Sequence, residues 1–223
     1  EWRGGIGRRV PGWVMGSTRE DVREAPAGLP VPMMLRPAFP LGGAGGGVAY
    51  NMEDLESMGQ AALAASMKSE VLLEQSVLGW KEIEIEIMRD CKEHCIIICT
   101  IENFDPMGVH TGDSIAVAPA MSPTEEEIRV IVEASKKIIK AVNMVGGANI
   151  QFAVNPKDGD LVVIEMNPRV SRSSALASKA TGFPIARVAT KLAVGYALDE
   201  IRDGEKGKTL AEYTGEIEYV VLK

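Results

Sequence analysis

Residues 161–175, with the sequence LVVIEMNPRVSRSSA, indicate most clearly which fold and chemistry to expect of this chain. The first four residues are apolar, which is typical of a strand that is covered on both faces. Glu165 ends this run, and Asn167, Arg169 and Arg172 follow it. Because a carboxylate at the end of a buried strand is costly without a cationic partner, this stretch is expected to bind something charged.

Two interpretations of the stretch are open at this point. Glutamate and asparagine oxygens are hard ligands suited to Mg²⁺ or Mn²⁺, and arginine guanidinium groups bind phosphate or carbonate oxygens through a fixed fork of donors. These residue types together indicate a site for a metal and an anion. Alternatively, Glu165 forms a buried ion pair with Arg169 or Arg172 that has no chemical role.

The segment before this stretch predicts a partner strand. Residues 149–154 read as a core strand that carries Gln151, and residues 155–159, NPKDG, read as a turn into the strand that begins at Leu161. The resulting hairpin is expected to present Gln151 and Glu165 to one place.

The rest of the chain predicts an α+β fold with an antiparallel sheet, helices and a cleft. Residues 80–88 alternate strictly, with three glutamates on one face and three isoleucines on the other, as in a half-buried strand, so most of these glutamates are expected to be solvated. Residues 90–94 are its turn. Further strands are predicted over 31–35, 71–74, 95–101 and 217–222, and helices over 53–66, 122–143, 173–181 and 184–196, with Asn51 and Ser122 as helix caps and Glu125 completing a capping box.

Two loops are candidates for ligand binding. Residues 42–47 contain five glycines in six positions, and Arg36 shortly precedes them. Such a backbone can crowd its N–H groups around an anion, although a flexible turn between strands has the same composition. The polar residues 102–114, which include His110, form either a solvated connection or a lid over a site.

Composition narrows the class of protein. The net charge of −7 argues against non-specific binding to nucleic acid, and no apolar run approaches the length of a membrane span. We expect a soluble, cytoplasmic protein. Cys91, Cys95 and Cys99 lack paired C-x-x-C spacing and are interpreted as reduced, buried thiols, not as zinc ligands. Residues 1–30 are expected to be loosely ordered, with at most one short helix near a capping box at 17–20.

Several motifs, in order, closely resemble the large subunit of carbamoyl-phosphate synthase over residues 31–223. They are RPAF at 36–39, GGAGGG at 42–47, GWKE at 79–82, ENFDPMGVHTGD at 102–113 and EMNPRVSRSSALASKATG at 165–182. The resemblance is to the amino-terminal of that subunit's two homologous halves, the half that makes carboxyphosphate. It implies an ATP-grasp fold, in which two α+β subdomains hold ATP between them, with residues 1–30 as a divergent, incomplete part of the first subdomain and residues 31–223 as the ATP-grasp domain.

The resemblance also implies roles for individual residues. Gln151, Glu165 and Asn167 would hold Mg²⁺ or Mn²⁺ between the ATP phosphates, while Arg169 and Arg172 would orient bicarbonate and stabilise the transferring phosphoryl group. The remaining residues would bind ATP: Arg36 and the Gly42–Gly43 loop at the phosphates, Glu82 at the ribose, Gln75 and Val77 at the adenine, and Gly108, Val109 and His110 along the nucleotide site. Family members usually have an acidic residue where this chain has Gln75.

The reaction implied is ATP-dependent phosphorylation of bicarbonate, followed by reaction with ammonia to give carbamate and then carbamoyl phosphate for arginine or pyrimidine biosynthesis. The expected partners are the rest of the large subunit and a glutaminase small subunit. Two alternatives stay open: an ATP-grasp ligase of the biotin carboxylase type, and a truncated, catalytically silent module that binds nucleotide. Residues 1–30 favour the second alternative, because we find no match there for a further phosphate-contacting arginine of the family.

Overall fold

The computed structural model describes residues 10–38, 45–109, 113–202, 208–215 and 217–223. The chain divides into two compact units, Pro11–Val77 and Leu78–Lys223, the second of which includes Val10. The division at residue 30 that the sequence suggests stays a prediction. Within the described residues, no helix combines the length and apolar character needed to cross a membrane.

The smaller unit is a four-stranded antiparallel sheet with two helices. Its elements are β1 (Trp13–Gly16), α1 (Arg19–Glu24), β2 (Met33–Pro37), β3 (Gly47–Ala49), α2 (Met52–Ala65) and β4 (Val71–Gln75), and the strand order is β1-β4-β2-β3. Asn51 caps α2, as predicted. The short helix near residue 17 is also confirmed, but its capping box joins Thr18 to Asp21 instead of Ser17 to Glu20.

The larger unit is a six-stranded antiparallel sheet with helices on both faces. Its elements are β5 (Lys81–Arg89), β6 (Cys95–Asn103), β7 (Ala116–Ala118), α3 (Glu125–Ala141), β8 (Gly146–Val154), β9 (Leu161–Asn167), α4 (Arg172–Thr181), α5 (Ile185–Ala193) and β10 (Val221–Leu222). The strand order is β10-β7-β6-β5-β8-β9. The last strand is shorter than the predicted 217–222. The α+β class with antiparallel sheets is confirmed.

Each face of this larger sheet has its own apolar core. On one face, the isoleucines of β5 pack with Ile131, Ile138 and Ile139 of α3. On the other face, Ile98 and Ile101 of β6 pack among the apolar side chains of α4 and α5, such as Leu176 and Val188. The strands at the centre of the sheet are therefore covered on both sides.

The start of α3 differs from the prediction. Thr124 is the N-cap and forms a capping box with Glu127, whereas Ser122 and Glu125 were expected to do so. Both residue pairs have the required spacing. Ser122 N donates to Glu102 Oε2 at 2.8 Å and is therefore not available to the side chain of Glu125, whereas Thr124 N donates to Glu127 Oε2 at 2.7 Å. The helix ends at Ala141, earlier than the predicted residue 143.

Candidate functional site

The candidate residues of the larger unit meet where β8 pairs with β9. Gln151 lies opposite Glu165 in the strand register, and Asn149 lies opposite Asn167. Asn167 Nδ2 donates a hydrogen bond to Glu165 Oε1 at 2.8 Å. The predicted hairpin that places Gln151 beside Glu165 is confirmed.

Glu165 does not form the buried ion pair that one interpretation of the sequence required. Its side chain is exposed, and among the described residues no ion pair joins it to Arg169 or Arg172. The reason is that β9 is the edge strand of the sheet, so its last residues leave the core that buries Val162 and Val163. That interpretation is wrong, and the carboxylate remains able to meet a cation.

The two candidate arginines lie immediately after β9. Arg169 N donates to Asn167 O at 2.8 Å, which folds the chain back after the strand. Arg172 is the first residue of α4, whose N-cap is Ser171. Both arginine side chains are exposed. A carboxylate, a carboxamide and two guanidinium groups therefore occur within residues 165–172, a single strand-loop-helix segment.

The three glutamates of β5 are buried, so the expectation that most of them are solvated is wrong. Glu82 is 4% exposed, and Glu84 and Glu86 are each 2% exposed. Their neighbours across the sheet supply carboxamide donors: Asn103 Nδ2 donates to Glu84 Oε1 at 2.7 Å, and Asn149 Nδ2 donates to Glu84 Oε2 at 2.6 Å. Hydrogen bonding from these carboxamides allows the carboxylates to be buried on this face of the sheet.

Glu82 links this row of carboxylates to the β8–β9 hairpin. Its Oε1 accepts hydrogen bonds from Asn103 Nδ2 at 3.0 Å and from Gln151 Nε2 at 3.3 Å. Glu82, Gln151 and Glu165 therefore follow one another across β5, β8 and β9. These are the residues that the resemblance associates with the ribose and with a metal.

The donor set of this region fits a hard cation. Glu165, Asn167 and Gln151 provide one carboxylate and two carboxamides, which carry oxygen ligands of the kind that Mg²⁺ and Mn²⁺ take. In addition, Asn103 Oδ1 is buried and has no hydrogen-bond partner within the described part of the chain. A buried carbonyl oxygen without a partner is unfavourable unless a ligand supplies a donor or a positive charge.

Glu86 is hydrogen-bonded to the amino end of α4. Its Oε1 accepts from Asn149 Nδ2 at 3.0 Å and from Ser173 Oγ at 2.6 Å, and its Oε2 accepts from Ser174 Oγ at 2.8 Å. Burial raises the pKa of Glu86, with a smaller contribution from the charge of Glu84, and the serine and asparagine hydrogen bonds act in the opposite direction. The alternation of β5 and the resemblance to the family give Glu86 no role in the site.

The candidate residues of the smaller unit lie on β2 and after β4. Arg36 is exposed on β2, and its Nε is 2.8 Å from Glu74 Oε2. Gln75 ends β4, and its backbone N–H donates to Gly12 O at 2.7 Å; Val77 follows two residues later. Gly42 and Gly43 lie outside the described residues.

The loop after β6 belongs to the larger unit. Gly108 has φ of +117°, and Val109 N donates to Pro106 O at 3.3 Å, so the chain turns sharply here. This conformation is easily adopted by glycine and rarely by other residues. His110 lies outside the described residues.

The three cysteines are free thiols, and within the described part of the chain they do not belong to a metal-binding group. Cys91 is exposed, Cys95 is half-buried and Cys99 is buried, and burial raises the pKa of the Cys99 thiol to about 12, with the charge of Glu86 adding to the effect. A thiol with so high a pKa stays protonated and unreactive at neutral pH. The expected burial is confirmed for Cys99 and is wrong for Cys91, which lies in the exposed turn between β5 and β6.

One group in the described part of the chain has the geometry of metal ligands, and it consists of Asp90, His94 and Asp199. Asp90 is fully buried, but its oxygens already accept from the backbone N–H groups of Lys92, His94 and Leu198 and contact His94 Nδ1. Lys92 Nζ binds Asp199 at 2.9 Å. Hydrogen bonds and one ion pair therefore account for this group without a metal.

Comparison with solved structures defines the class of fold. Biotin carboxylase of Campylobacter jejuni superposes with a TM-score of 0.76 at 22% identity, over 93% of this chain and 47% of that chain. The biotin carboxylase domain of Hydrogenobacter thermophilus 2-oxoglutarate carboxylase, in a complex with MgADP, ADP and bicarbonate, superposes with a TM-score of 0.74 at 20% identity, over 93% of this chain and 46% of that chain. The fold is the ATP-grasp fold.

Comparison of sequences defines the family. Residues 7–201 match the model of the carbamoyl-phosphate synthase L chain, ATP binding domain, and the chain belongs to this family. The carbamoyl phosphate synthase large chain of a Nostoc species is 59% identical over 193 residues, which are 86% of this chain and 18% of that relative. The chain thus spans about a fifth of the length of the curated relatives that it matches.

Proposed function

We propose that this chain is the ATP-binding module of a carbamoyl-phosphate synthase large chain that transfers a phosphoryl group from ATP to bicarbonate. The proposal rests on the side chains of residues 165–172. They comprise an exposed carboxylate, a carboxamide and two exposed arginines, and no described ion pair joins the carboxylate to either arginine. Membership of the family and the bicarbonate complex of the Hydrogenobacter neighbour support it.

In the proposed reaction, a bicarbonate oxygen forms a bond to the γ-phosphorus of ATP. The bond from that phosphorus to the β,γ-bridging oxygen breaks, and its electron pair leaves with ADP, so the products are carboxyphosphate and ADP. Such a transfer requires mainly in-line positioning and neutralisation of charge. Arg169 and Arg172 would orient bicarbonate and bind the equatorial oxygens of the transferred group.

Gln151, Glu165 and Asn167 would hold Mg²⁺ or Mn²⁺, which supplies positive charge to the ATP phosphates when it is bound. Glu82 would bind the ribose hydroxyls, Gln75 and Val77 would flank the adenine, and Gly108, Val109 and His110 would line the nucleotide site.

Arg36 would bind phosphate by exchanging its ion pair with Glu74, while Gly42 and Gly43 would fold over the phosphates. The guanidinium of Arg36 is exposed on its side of this pair, although Glu74 is largely covered, so Arg36 is accessible to a phosphate.

The product carboxyphosphate would react with ammonia to give carbamate and phosphate. Carboxyphosphate also reacts with water, and excluding water would be the task of the 102–114 loop and the glycine loop. The rest of the large subunit and a glutaminase small subunit are the proposed partners, and a cytoplasmic location is proposed with them. A catalytically silent nucleotide-binding module is the competing function.

The test is ADP release by the purified chain with Mg²⁺-ATP, measured with and without bicarbonate. We expect bicarbonate to stimulate release, and we expect Glu165→Gln to abolish the stimulated rate while the fold is retained. Glu133→Gln, which changes an exposed glutamate of α3, is the matched control and should keep the wild-type rate. Nucleotide binding without bicarbonate-dependent release would support the silent module instead, and unchanged turnover in Glu165→Gln would refute the metal assignment.

A further inference from the structure

Glu86 does not contact any residue to which the proposed function gives a role in binding ATP, metal or bicarbonate, yet it is among the most buried charged groups of the larger unit. It is 2% exposed, and Ser174, one of its partners, is 1% exposed. The two oxygens of Glu86 accept from four side chains: Asn149, Ser171, Ser173 and Ser174. Three of these donors lie at Oε1 and Ser174 lies at Oε2, so each oxygen of the buried carboxylate has a hydrogen-bond partner.

Three of those four partners form the first turn of α4. Ser171 is the N-cap, and Ser173 and Ser174 are the second and third helical residues. Ser171 N donates to Ser174 Oγ at 2.9 Å, and Ser174 N donates to Ser171 Oγ at 3.4 Å, which completes a capping box. The carboxylate therefore binds the hydroxyls that cap the helix, at the end where the helix dipole favours negative charge.

Arg172 is the residue between these hydroxyls. Ser171 precedes it and Ser173 follows it, and both bind Glu86 Oε1, at 3.3 Å and 2.6 Å. At the other end of the loop, Arg169 N is fixed to Asn167 O on β9. The short segment that carries both arginines is thus held at one end by the sheet and at the other end by Glu86.

We propose that Glu86 is a positioning residue that fixes the segment 169–172 and so places the guanidinium groups of Arg169 and Arg172 for bicarbonate and the transferring phosphoryl group. This inference rests on the proposed function, because the arginines have those ligands only if the chain phosphorylates bicarbonate. Bidentate recognition by arginine depends on geometry, and a displacement of about 1 Å can lower a rate by about a hundredfold.

The test compares variants that differ in the hydrogen bond and not in packing. Glu86→Gln keeps the shape of the side chain and removes one acceptor oxygen. Ser173→Val and Ser173→Thr have nearly the same shape, and only the threonine retains the hydroxyl that binds Glu86. Ser135→Ala is the structural control, since Ser135 is a fully buried serine that donates only to Ile131 O within α3.

Two measurements are made on each variant: steady-state kinetics, and hydrogen exchange of the backbone amides over residues 171–176. We expect Glu86→Gln and Ser173→Val to lower kcat by about tenfold to a hundredfold and to raise the KM for bicarbonate. The KM for ATP should change by less than about twofold, because the proposed nucleotide contacts lie elsewhere. Local exchange should become at least about tenfold faster. Ser173→Thr and Ser135→Ala should behave like the wild type in both measurements.

The outcomes separate this inference from the proposed function. Faster local exchange with unchanged kinetics overturns the positioning role, because Glu86 would then have a structural role only. Unchanged exchange overturns the anchoring of the segment. If the wild-type chain shows no bicarbonate-dependent ADP release, the proposed function fails by itself. The exchange comparison between Ser173→Val and Ser173→Thr then decides whether Glu86 anchors the arginine segment.

Discussion

The two faces of β5 are both buried, but they are buried by different physical means. On one face, Ile83, Ile85 and Ile87 are fully buried in the core beneath α3. On the other face, Glu82, Glu84 and Glu86 are almost as inaccessible, and they bind the carboxamides and hydroxyls of β6, β8 and α4. One strand therefore belongs to an apolar core and to a polar network at once.

The difference shows where each kind of substitution should be harmful. The apolar face is stabilised by transfer from water and by close packing, so its free energy depends on volume and on the absence of polar atoms. The polar face depends on the pairing of each donor with an acceptor, because a single unpaired polar group in this environment loses its full hydration energy. Shape matters most on the first face, and hydrogen-bond pairing matters most on the second.

The largest effect is expected when the chemistry of the polar face is placed on the apolar face. Ile85→Glu puts a carboxylate among Ile131, Ile138 and Phe152, where the described residues offer it no donor. We expect a loss of about 4 kcal/mol or more in the free energy of unfolding, measured by urea denaturation. The conservative control Ile85→Val should lose only about 0.5–1.5 kcal/mol. Equal losses in the two variants would mean that the two faces do not differ as described.

The same contrast between the two faces explains which properties of β5 can be predicted from the sequence and which cannot. Strict alternation over residues 80–88 correctly predicts a strand with two chemically different faces, because the period of a strand is fixed by its own backbone. Burial of the glutamates depends on Asn103, Asn149 and the serines of α4, which come from distant parts of the chain. Alternation within one strand carries no information about such partners.

Asp90, just after β5, is a buried carboxylate whose partners are mostly backbone groups. It is fully buried, and its oxygens accept from the N–H groups of Lys92, His94 and Leu198. In Asp90→Asn, one carboxylate oxygen is replaced by an NH₂ group that faces hydrogen-bond donors. We therefore expect the free energy of unfolding, measured by urea denaturation near neutral pH, to fall by about 2–3 kcal/mol. Asp158→Asn is the control, since the Oδ1 that accepts from Asp160 N is retained. A loss no larger than that of the control would contradict this account of Asp90.

Asp90 and Glu86 should also differ in how they make stability depend on pH. Burial alone would raise the pKa of Asp90, but the hydrogen bonds from Leu198 and His94 outweigh it and the pKa is lowered from 3.8. Burial raises the pKa of Glu86 from 4.5. The folded state therefore releases the Asp90 proton more readily than the unfolded state does, and it retains the Glu86 proton more strongly.

The free energy of unfolding of the wild type is compared with that of Glu86→Gln and with that of Asp90→Asn. We expect these two differences to change with pH in different ways. As pH rises from 4.5 towards about 7, wild-type stability relative to Glu86→Gln should fall, because ionisation of the buried Glu86 becomes a cost. Wild-type stability relative to Asp90→Asn should stay constant over that range and decrease only as pH falls below 3.8. Urea denaturation of the three proteins across this range measures both differences. Parallel pH profiles for the two variants would disprove the assignment of opposite shifts.

The candidate site shows a similar limit to what the sequence can predict. The hairpin that pairs Gln151 with Glu165 follows from local signals, namely two apolar runs and an NPKDG turn. The anchor formed by Glu86 joins residues more than eighty positions apart in the chain. The three serines at 171, 173 and 174 are one available signal, because hydroxyls at the start of a helix form hydrogen bonds with nearby polar groups, but they do not indicate a carboxylate on β5.

The smallest effect is expected for glutamates that resemble those of β5 in chemistry but lie in solvent. On α3, Arg129 Nη1 is 2.7 Å from Glu133 Oε1, and its Nε donates to Glu126 Oε2 at 2.8 Å. These side chains are about half exposed or more, so water competes for each charge and salt screens their attraction. We therefore expect Arg129→Ala to lower the melting temperature by less than about 2 °C, and we expect that difference to shrink between about 0.1 M and about 1 M NaCl. A larger, salt-independent decrease would show that an exposed ion pair can stabilise this unit as strongly as the buried network of β5, and the contrast between buried and exposed glutamates would then lose its physical basis.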